Sequence, residues 1–436
     1  MLADSDTRWK WGALTAQRLV PDQSGRILDG YLLRGRATPT VRQLTEVGVR
    51  ADSLREVTGV EFVTSVDREH CDVIILSCVG GAVQAMLHGL ARTWERTPGR
   101  RPVVVTGYVG VVYEKLADGL LLRHGADVVL ANSAHDADRF RDVYQGVGAD
   151  PSAVVECALP FLGGAPYDER ARLRRRYQGG TVVFAVQPSV PATRADRLYL
   201  LQRAVGHARR YPDREVLVKL RSKPGEHTTH IEELPYQKLV DKLTDVPPNF
   251  RLAYGNMGEV LDAADLLVTV SSTAALESLH RGIPTAVLTD LGIREALGNH
   301  HFLGSGCLAS WDQLDDGLLP KPDPAWVARQ GVATDGAYET AFDAARERVL
   351  SLAAADALPA PAPYYTRVTA PGYLPGVLAR YGLTPDGRPR PGAVAADTEV
   401  SGLRRAVRNT VREAARGAYR HGVQRVAPVI RRMGDL

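Results

Sequence analysis

Ser271, Ser272 and Thr273 stand in a row between the apolar run Leu266–Val270 and a helical pattern whose inward face is Ala275, Leu276 and Leu279. Hydroxyls and open main-chain N–H groups at the carboxyl end of a buried strand suit phosphate oxygens. Any of the three can instead cap the helix that follows. Neither Glu nor Gln lies three residues beyond any of them, so no reciprocal capping box closes that end. Glu277, one turn on, either accepts hydrogen bonds from sugar hydroxyls or faces solvent. Gly282 and Pro284 stop the helix and Thr285–Leu288 opens another strand, so the segment reads as a buried strand–helix–strand module.

The remaining candidates also follow predicted strands. Gln187 and Ser189 come after a strand over 182–186, and Lys219, Arg221, Lys223 and His227 surround the end of one over 216–220. In the first third, Asp4 and Asp6 precede a helix over 9–19, and Gly80 and Gly81 follow a strand over 71–77. Tyr108 and Asn132 follow strands over 103–105 and 127–130. A strand must precede Asp4, and it is either very short or begins upstream of Met1. Residues 27–33 read as a strand, 60–66 as extended, and 41–47, 82–94, 113–123, 195–209 and 257–263 as helices. Two successive series of alternating strands and helices predict an α/β chain of two Rossmann-like domains facing a cleft, with functional loops at the strand carboxyl ends.

Composition narrows the class. With 44% apolar and 24% charged residues the chain is an ordinary soluble globular protein with room for several domains. No run reaches the roughly 18 apolar residues of a membrane span. Cys71, Cys78, Cys157 and Cys307 show no C-x-x-C pairing, and His227-x-x-His230 lacks an acidic or cysteine partner, so no metal site is expected. No P-loop, G-x-G-x-x-G or G-x-S-x-G motif is present, which disfavours kinases, dehydrogenases and serine hydrolases. The boundaries read as a first domain over 1–165, a second over 166–355, an irregular Pro-rich strap over 356–400 and a basic amphipathic helix over 401–436. Eight of the 27 prolines fall between Pro359 and Pro391. The last segment repeats Arg404, Arg408, Arg412, Arg416 and Arg420 beside Leu403, Val407, Val411 and Tyr419. That pattern suits an anionic membrane surface, with nucleic acid the disfavoured rival and a solvated tail helix the plain alternative.

The stretch SSTAALESLHRGIPTAV resembles the nucleotide-sugar motif of the two-domain glycosyltransferases of the GT-B fold. DVVLANSAHDADRF and ALPFL resemble the end of that family's first domain, and the likeness spans roughly residues 1–350. It implies that the Ser271–Thr273 loop binds donor phosphate and Glu277 the ribose. More narrowly, Asp4-Ser5-Asp6 and Lys10-Trp11 are similar to the opening of uncharacterised actinobacterial glycosyltransferases. Related polysialyl- and glycerophosphotransferases carry Lys-x-His-Pro where this chain has Lys219-Leu220-Arg221-Ser222, so Arg221 supplies charge but no titrating group.

The resemblance implies a metal-independent enzyme moving sugar from a nucleotide-sugar co-substrate, with no separate cofactor. Gln187, Ser189, Lys219, Arg221, Ser271, Ser272, Thr273 and Glu277 would hold the donor, and Gly80, Gly81, Tyr108 and Asn132 would line the acceptor side. Asp4 or Asp6 would be the catalytic base, unless these acids only cap the helix after them. A membrane-seeking tail would favour a lipid-linked or cell-envelope glycan as acceptor and a cytoplasmic protein held peripherally at the plasma membrane. A glycerophosphate transferase, a nucleotide-sugar epimerase and a non-catalytic nucleotide-binding or scaffold protein are the competing readings.

Overall fold

Apolar runs of four or five residues between helices are the mark of strands buried on both faces, and in the computed structural model they build two parallel sheets. The structure describes residues 1–391 except 23–24, 96–98, 112–115, 169, 171–178, 224–225 and 227–233. The first domain runs β1 (Leu2–Ala3), α1 (Asp6–Leu19), β2 (Asp29–Leu33), α2 (Val41–Val47), β3 (Ser53–Val57), α3 (Gly59–Ser65), β4 (Val73–Ser77), α4 (Gly80–Trp94), β5 (Val103–Gly107), α5 (Leu116–Leu121), β6 (Val128–Ala131), α6 (Ala134–Gly146) and β7 (Val154–Glu156). The second continues β8 (Thr181–Ala185), α7 (Arg194–Arg210), β9 (Glu215–Lys219), α8 (Tyr236–Val240), β10 (Phe250–Ala253), α9 (Met257–Asp262), β11 (Leu266–Thr269), α10 (Ala274–His280), β12 (Thr285–Leu288) and β13 (Leu308–Ala309).

Strand order is β3-β2-β1-β4-β5-β6-β7 in one sheet and β10-β9-β8-β11-β12-β13 in the other, so both are Rossmann-like. Order reverses between β1 and β4 in the first and between β8 and β11 in the second. The expected opening strand is two residues long yet central, with Leu2 opposite both Tyr31 and Leu76.

Residues 60–66 are not extended as expected. Thr58 and Glu61 form a capping box that starts α3, burying Val60, Phe62 and Val63 on one face, and the extended segment lies earlier, at β3. Two reciprocal hydrogen bonds and a buried helical face outweigh the strand preference of Val60, Val63 and Val66. The helix expected over 113–123 is α5, with Tyr113 outside the described residues. His227, His230 and the tail over 401–436 also lie outside them.

After the second sheet come α11 (Trp311–Asp315), α12 (Pro324–Arg329) and α13 (Asp343–Ala353). The last of these packs on the first domain. Ala345 and Val349 are buried there, Arg346 Nη2 donates to Arg18 O at 3.2 Å, and Tyr338 Oη just before it donates to Leu159 O at 3.0 Å. Residues 356–391 are irregular except for α14 (Leu374–Ala379), but they are not a loose linker. Leu374, Leu378 and Leu383 are fully buried against α3 and α4, and Arg101 Nε donates to Pro359 O at 2.9 Å.

Leu378→Ala is therefore expected to cost about 2–5 kcal/mol in a chemical denaturation curve. An unchanged midpoint would show that the strap contributes nothing to the first domain's core.

Candidate active site

Open α/β sheets leave a crevice where strand order reverses, and most of the predicted site residues fall at those two points. In the first domain β1 leads into Asp4 and β4 into Val79. Asp4 Oδ2 accepts from Val79 N at 2.8 Å and Oδ1 from Arg8 Nη1 at 3.0 Å. Asp4 thus ties the two loops of its crevice together. Gly80 and Gly81 are the first residues of α4, and a Cβ on Gly80 would stand 2.8 Å from Leu122 Cδ1. In the second domain β8 leads to Gln187 and β11 to Ser271. Gln187 Oε1 accepts from Ser271 N at 3.1 Å, while the Ser271 hydroxyl donates to Leu297 O at 2.5 Å. The fully buried Ser271 hydroxyl is therefore a brace for its loop. Ser272 Oγ accepts from Ala274 N at 3.2 Å, and Thr273 makes no side-chain cap, so of the three hydroxyls only Ser272 does the expected local capping.

Helix periodicity sets the next layer. Asp6 and Lys10 lie one turn apart on α1, whose other side buries Trp9 and Trp11. Both polar side chains cross the cleft. Asp6 pairs with Arg221 beyond β9, and Lys10 Nζ stands 3.6 Å from Glu277 Oε2 on α10. A second crossing comes from α2, where Glu46 Oε1 accepts from Gly255 N at 2.9 Å and lies 3.8 Å from Lys219 Nζ. Arg42, on the same helix, bridges Glu46 and Glu226. On the far side His135 of α6 meets His301 edge to face, with ring centres 5.8 Å apart.

Burial works on these charges in opposite directions. It raises the Asp6 carboxyl, but the facing Arg221 guanidinium outweighs that and holds Asp6 below the usual carboxylate range. Lys219 is lowered by burial, only partly offset by Glu46. Burial likewise drives His301 down to about 3, so it is neutral. Asp136, in the first turn of α6, is pushed up to about 6 by burial, with Oδ1 lacking a hydrogen-bond partner and Arg139 Nη1 at 4.0 Å.

Two residues predicted on the acceptor side have framework roles. Asn132 is buried, accepts from Trp11 Nε1 at 3.4 Å and donates to Tyr108 O at 2.7 Å. The Tyr108 ring covers the Arg123 guanidinium at 4.0 Å, and that buried arginine donates to the carbonyls of Cys78, Gly107 and Gly119. Ser189 sits in the loop held by Arg197, whose guanidinium donates to the Pro191 and Leu234 carbonyls, each at 2.8 Å. Sequence reasoning missed Arg42, Glu46 and Arg123 as site residues. The four-residue spacing of Arg42 and Glu46 was a usable signal; nothing local marked Arg123. Among the described residues no cluster of His, Cys, Asp or Glu forms a metal site.

Two Rossmann-like domains with crevices turned toward each other, and charges paired across the gap, define a two-domain α/β protein of the GT-B arrangement. The chain belongs to the family described as "Putative glycosyltransferase (DUF6716)", which matches residues 1–349. No curated protein matches the chain. Among solved structures, the Listeria monocytogenes "putative UDP-N-acetylglucosamine 2-epimerase" is 12% identical over 80% of this chain and 96% of its own, with a TM-score of 0.49. Anabaena HepE, solved with UDP-glucose, is 11% identical over 81% and 97%, with a TM-score of 0.45. The spinosyn forosaminyltransferase SpnP is 13% identical over 81% and 98%, with a TM-score of 0.41.

The folded protein holds the Asp136 proton more tightly than the unfolded chain does, so this residue makes stability fall as pH rises from about 4 to about 6. The positive end of α6 favours the anion by only about 0.3–1 kcal/mol and does not cancel the effect. Asp136→Asn is expected to stabilise by roughly 2 kcal/mol at pH 8 and to be near neutral at pH 4. Equal midpoint changes at both pH values would discard burial of the charge as the cause.

Proposed function

We propose that this protein is a glycosyltransferase that moves a sugar from a nucleotide-activated donor to an acceptor hydroxyl. The observation that carries the reading is the meeting of Asp6 with Arg221 across the cleft. It sets a carboxylate of the first domain against the cations at the end of β9, where a base and a leaving-group clamp have to face each other. The family's description supports the same reaction class.

In the reaction the acceptor O–H gives its proton to the Asp6 carboxylate while its oxygen bonds to the anomeric carbon of the donor. The bond from that carbon to the phosphate oxygen breaks, and its electron pair leaves with the nucleotide. Lys219 and Arg221 stabilise the charge that develops there. Glu277 takes the ribose hydroxyls, and the Ser272–Thr273 segment lines the phosphate side. Asp6 is preferred over Asp4 as base because both Asp4 oxygens are engaged within the first domain, by Val79 N and Arg8. Gly80 and Gly81 lie on the acceptor side. A lipid-linked or cell-envelope acceptor, reached through the basic tail, is the finer form of this proposal. Among the described residues no helix is long and apolar enough to cross a membrane.

A thermal-shift panel of UDP, GDP, dTDP, CDP and CMP with their sugars tests the donor site. One nucleotide is expected to raise the midpoint in wild type and to lose that effect in Glu277→Ala; saturation at a hundredfold excess over Kd stabilises by about 2.7 kcal/mol. No response to any of them would remove the reading. Asp6→Asn is expected to retain donor binding and lose at least about 100-fold in turnover. With wild type, the acid limb of the kcat/KM profile is expected below the usual carboxylate range, because Arg221 holds Asp6 ionised in the free enzyme.

A further inference from the structure

Several arginines of the second domain pair with carboxylates of that domain, as Arg203 does with Asp315 and Arg281 with Asp262, but the two cations at the end of β9 do not. Among the described residues, Lys219 and Arg221 each form one direct ion pair, and both partners belong to the first domain: Glu46 and Asp6, with Glu277 of the second domain acting on Lys219 only from farther away. Lys219 is almost fully buried and otherwise donates only to Leu220 O, at 2.7 Å. An ammonium taken out of water costs several kcal/mol unless it is paired, so this sheet edge is built to receive negative charge from outside its own domain.

What fills it now has the shape of the ligand it would take. One Glu46 oxygen lies between the Lys219 ammonium, at 3.8 Å, and the Gly255 N–H, at 2.9 Å. An ammonium and a main-chain N–H converging on one anionic oxygen is also how proteins hold phosphate. Asp6 gives the Arg221 guanidinium the planar acceptor that a phosphate would otherwise offer. The other Glu46 oxygen is paired with Arg42 inside the first domain, so Glu46 has a partner to keep when it leaves Lys219.

We propose that Glu46 and Asp6 are built-in stand-ins for the diphosphate of the donor, filling an anion site made by Lys219, Arg221 and the Gly255 N–H, and that donor binding exchanges these carboxylates for phosphate oxygens. This rests on the reading of the cleft as a nucleotide-donor site and adds how that site is kept when empty. The exchange releases Asp6 from Arg221 only once phosphate has arrived, so the base is freed for the acceptor by the donor itself. Glu46 is then a gate on donor affinity. A site filled by its own stand-in binds the true ligand more weakly by the fraction of time it is filled.

The test is calorimetric titration of inorganic pyrophosphate into the full chain as wild type, Glu46→Gln, Glu46→Ala and Glu56→Gln. The last removes an equal charge from Glu56, which pairs with Arg34 on a different face. Both Glu46 variants are expected to bind pyrophosphate about tenfold more tightly than wild type, the scale of one charged hydrogen bond, with Glu56→Gln unchanged. Unchanged or weaker binding in the Glu46 variants, an equal gain in Glu56→Gln, or no pyrophosphate binding by any form would overturn the exchange. If a nucleotide still stabilises wild type in that case, the donor reading survives alone; if none does, both fall.

Discussion

Among the described residues, the direct ion pairs of Asp6, Lys10, Lys219, Arg221 and Glu277 all run to the other domain. Charges drawn out of water lose hydration worth several kcal/mol and recover it only through a well-placed partner. These charge pairs across the cleft tolerate replacement: water, salt or a ligand's charges can take over either half of each pair. The contact between α4 and the returning strap is of the other kind. There Leu374, Leu378 and Leu383 are sealed in an apolar core, and no solute can stand in for them.

The two domains also solve one local problem in parallel. Where strand order reverses, two loops diverge and leave polar main chain exposed. The first domain closes the gap with Asp4 accepting from Val79 N, the second with Gln187 accepting from Ser271 N. In each case a side chain after the first strand is spent on the loop after the fourth. Asp4 and Ser271, predicted as site residues by position and type, thus also tie together the loops that carry the site. Arg123 and Arg197 work one layer below, each fanning out to main-chain carbonyls of loops on its own sheet.

Much of this was legible in the chain. The alternation of strands and helices, the two-domain division and the placement of Asp6, Lys219, Arg221 and Glu277 at strand ends or in the first turn of helices all follow from short-range patterns, because buried parallel strands and their loops announce themselves locally. The failures share a cause. Residues 60–66 looked extended because three of the seven are valines, whereas the Thr58–Glu61 capping box decides the local structure. The irregular Pro-rich strap read over 356–400 gave no sign of what it packs on, because Leu374, Leu378 and Leu383 find their partners far away in sequence. The pairing of Glu46 with Lys219 joins residues too distant for any periodicity to connect. Asn132 and Tyr108 stand at the expected strand ends, but whether such a side chain turns to the cleft or to a neighbouring loop is settled by packing alone.

The chain leaves the first domain between β7 and β8 and returns to it after β13, with α13 lying on the first domain. A single tether would let the second domain swivel about a point. Two tethers define a line, and rotation about that line is the motion that strains neither. Any relative turning of the domains is thus confined near one line, and a pair such as Asp6 and Arg221 can re-form only with the partner it left.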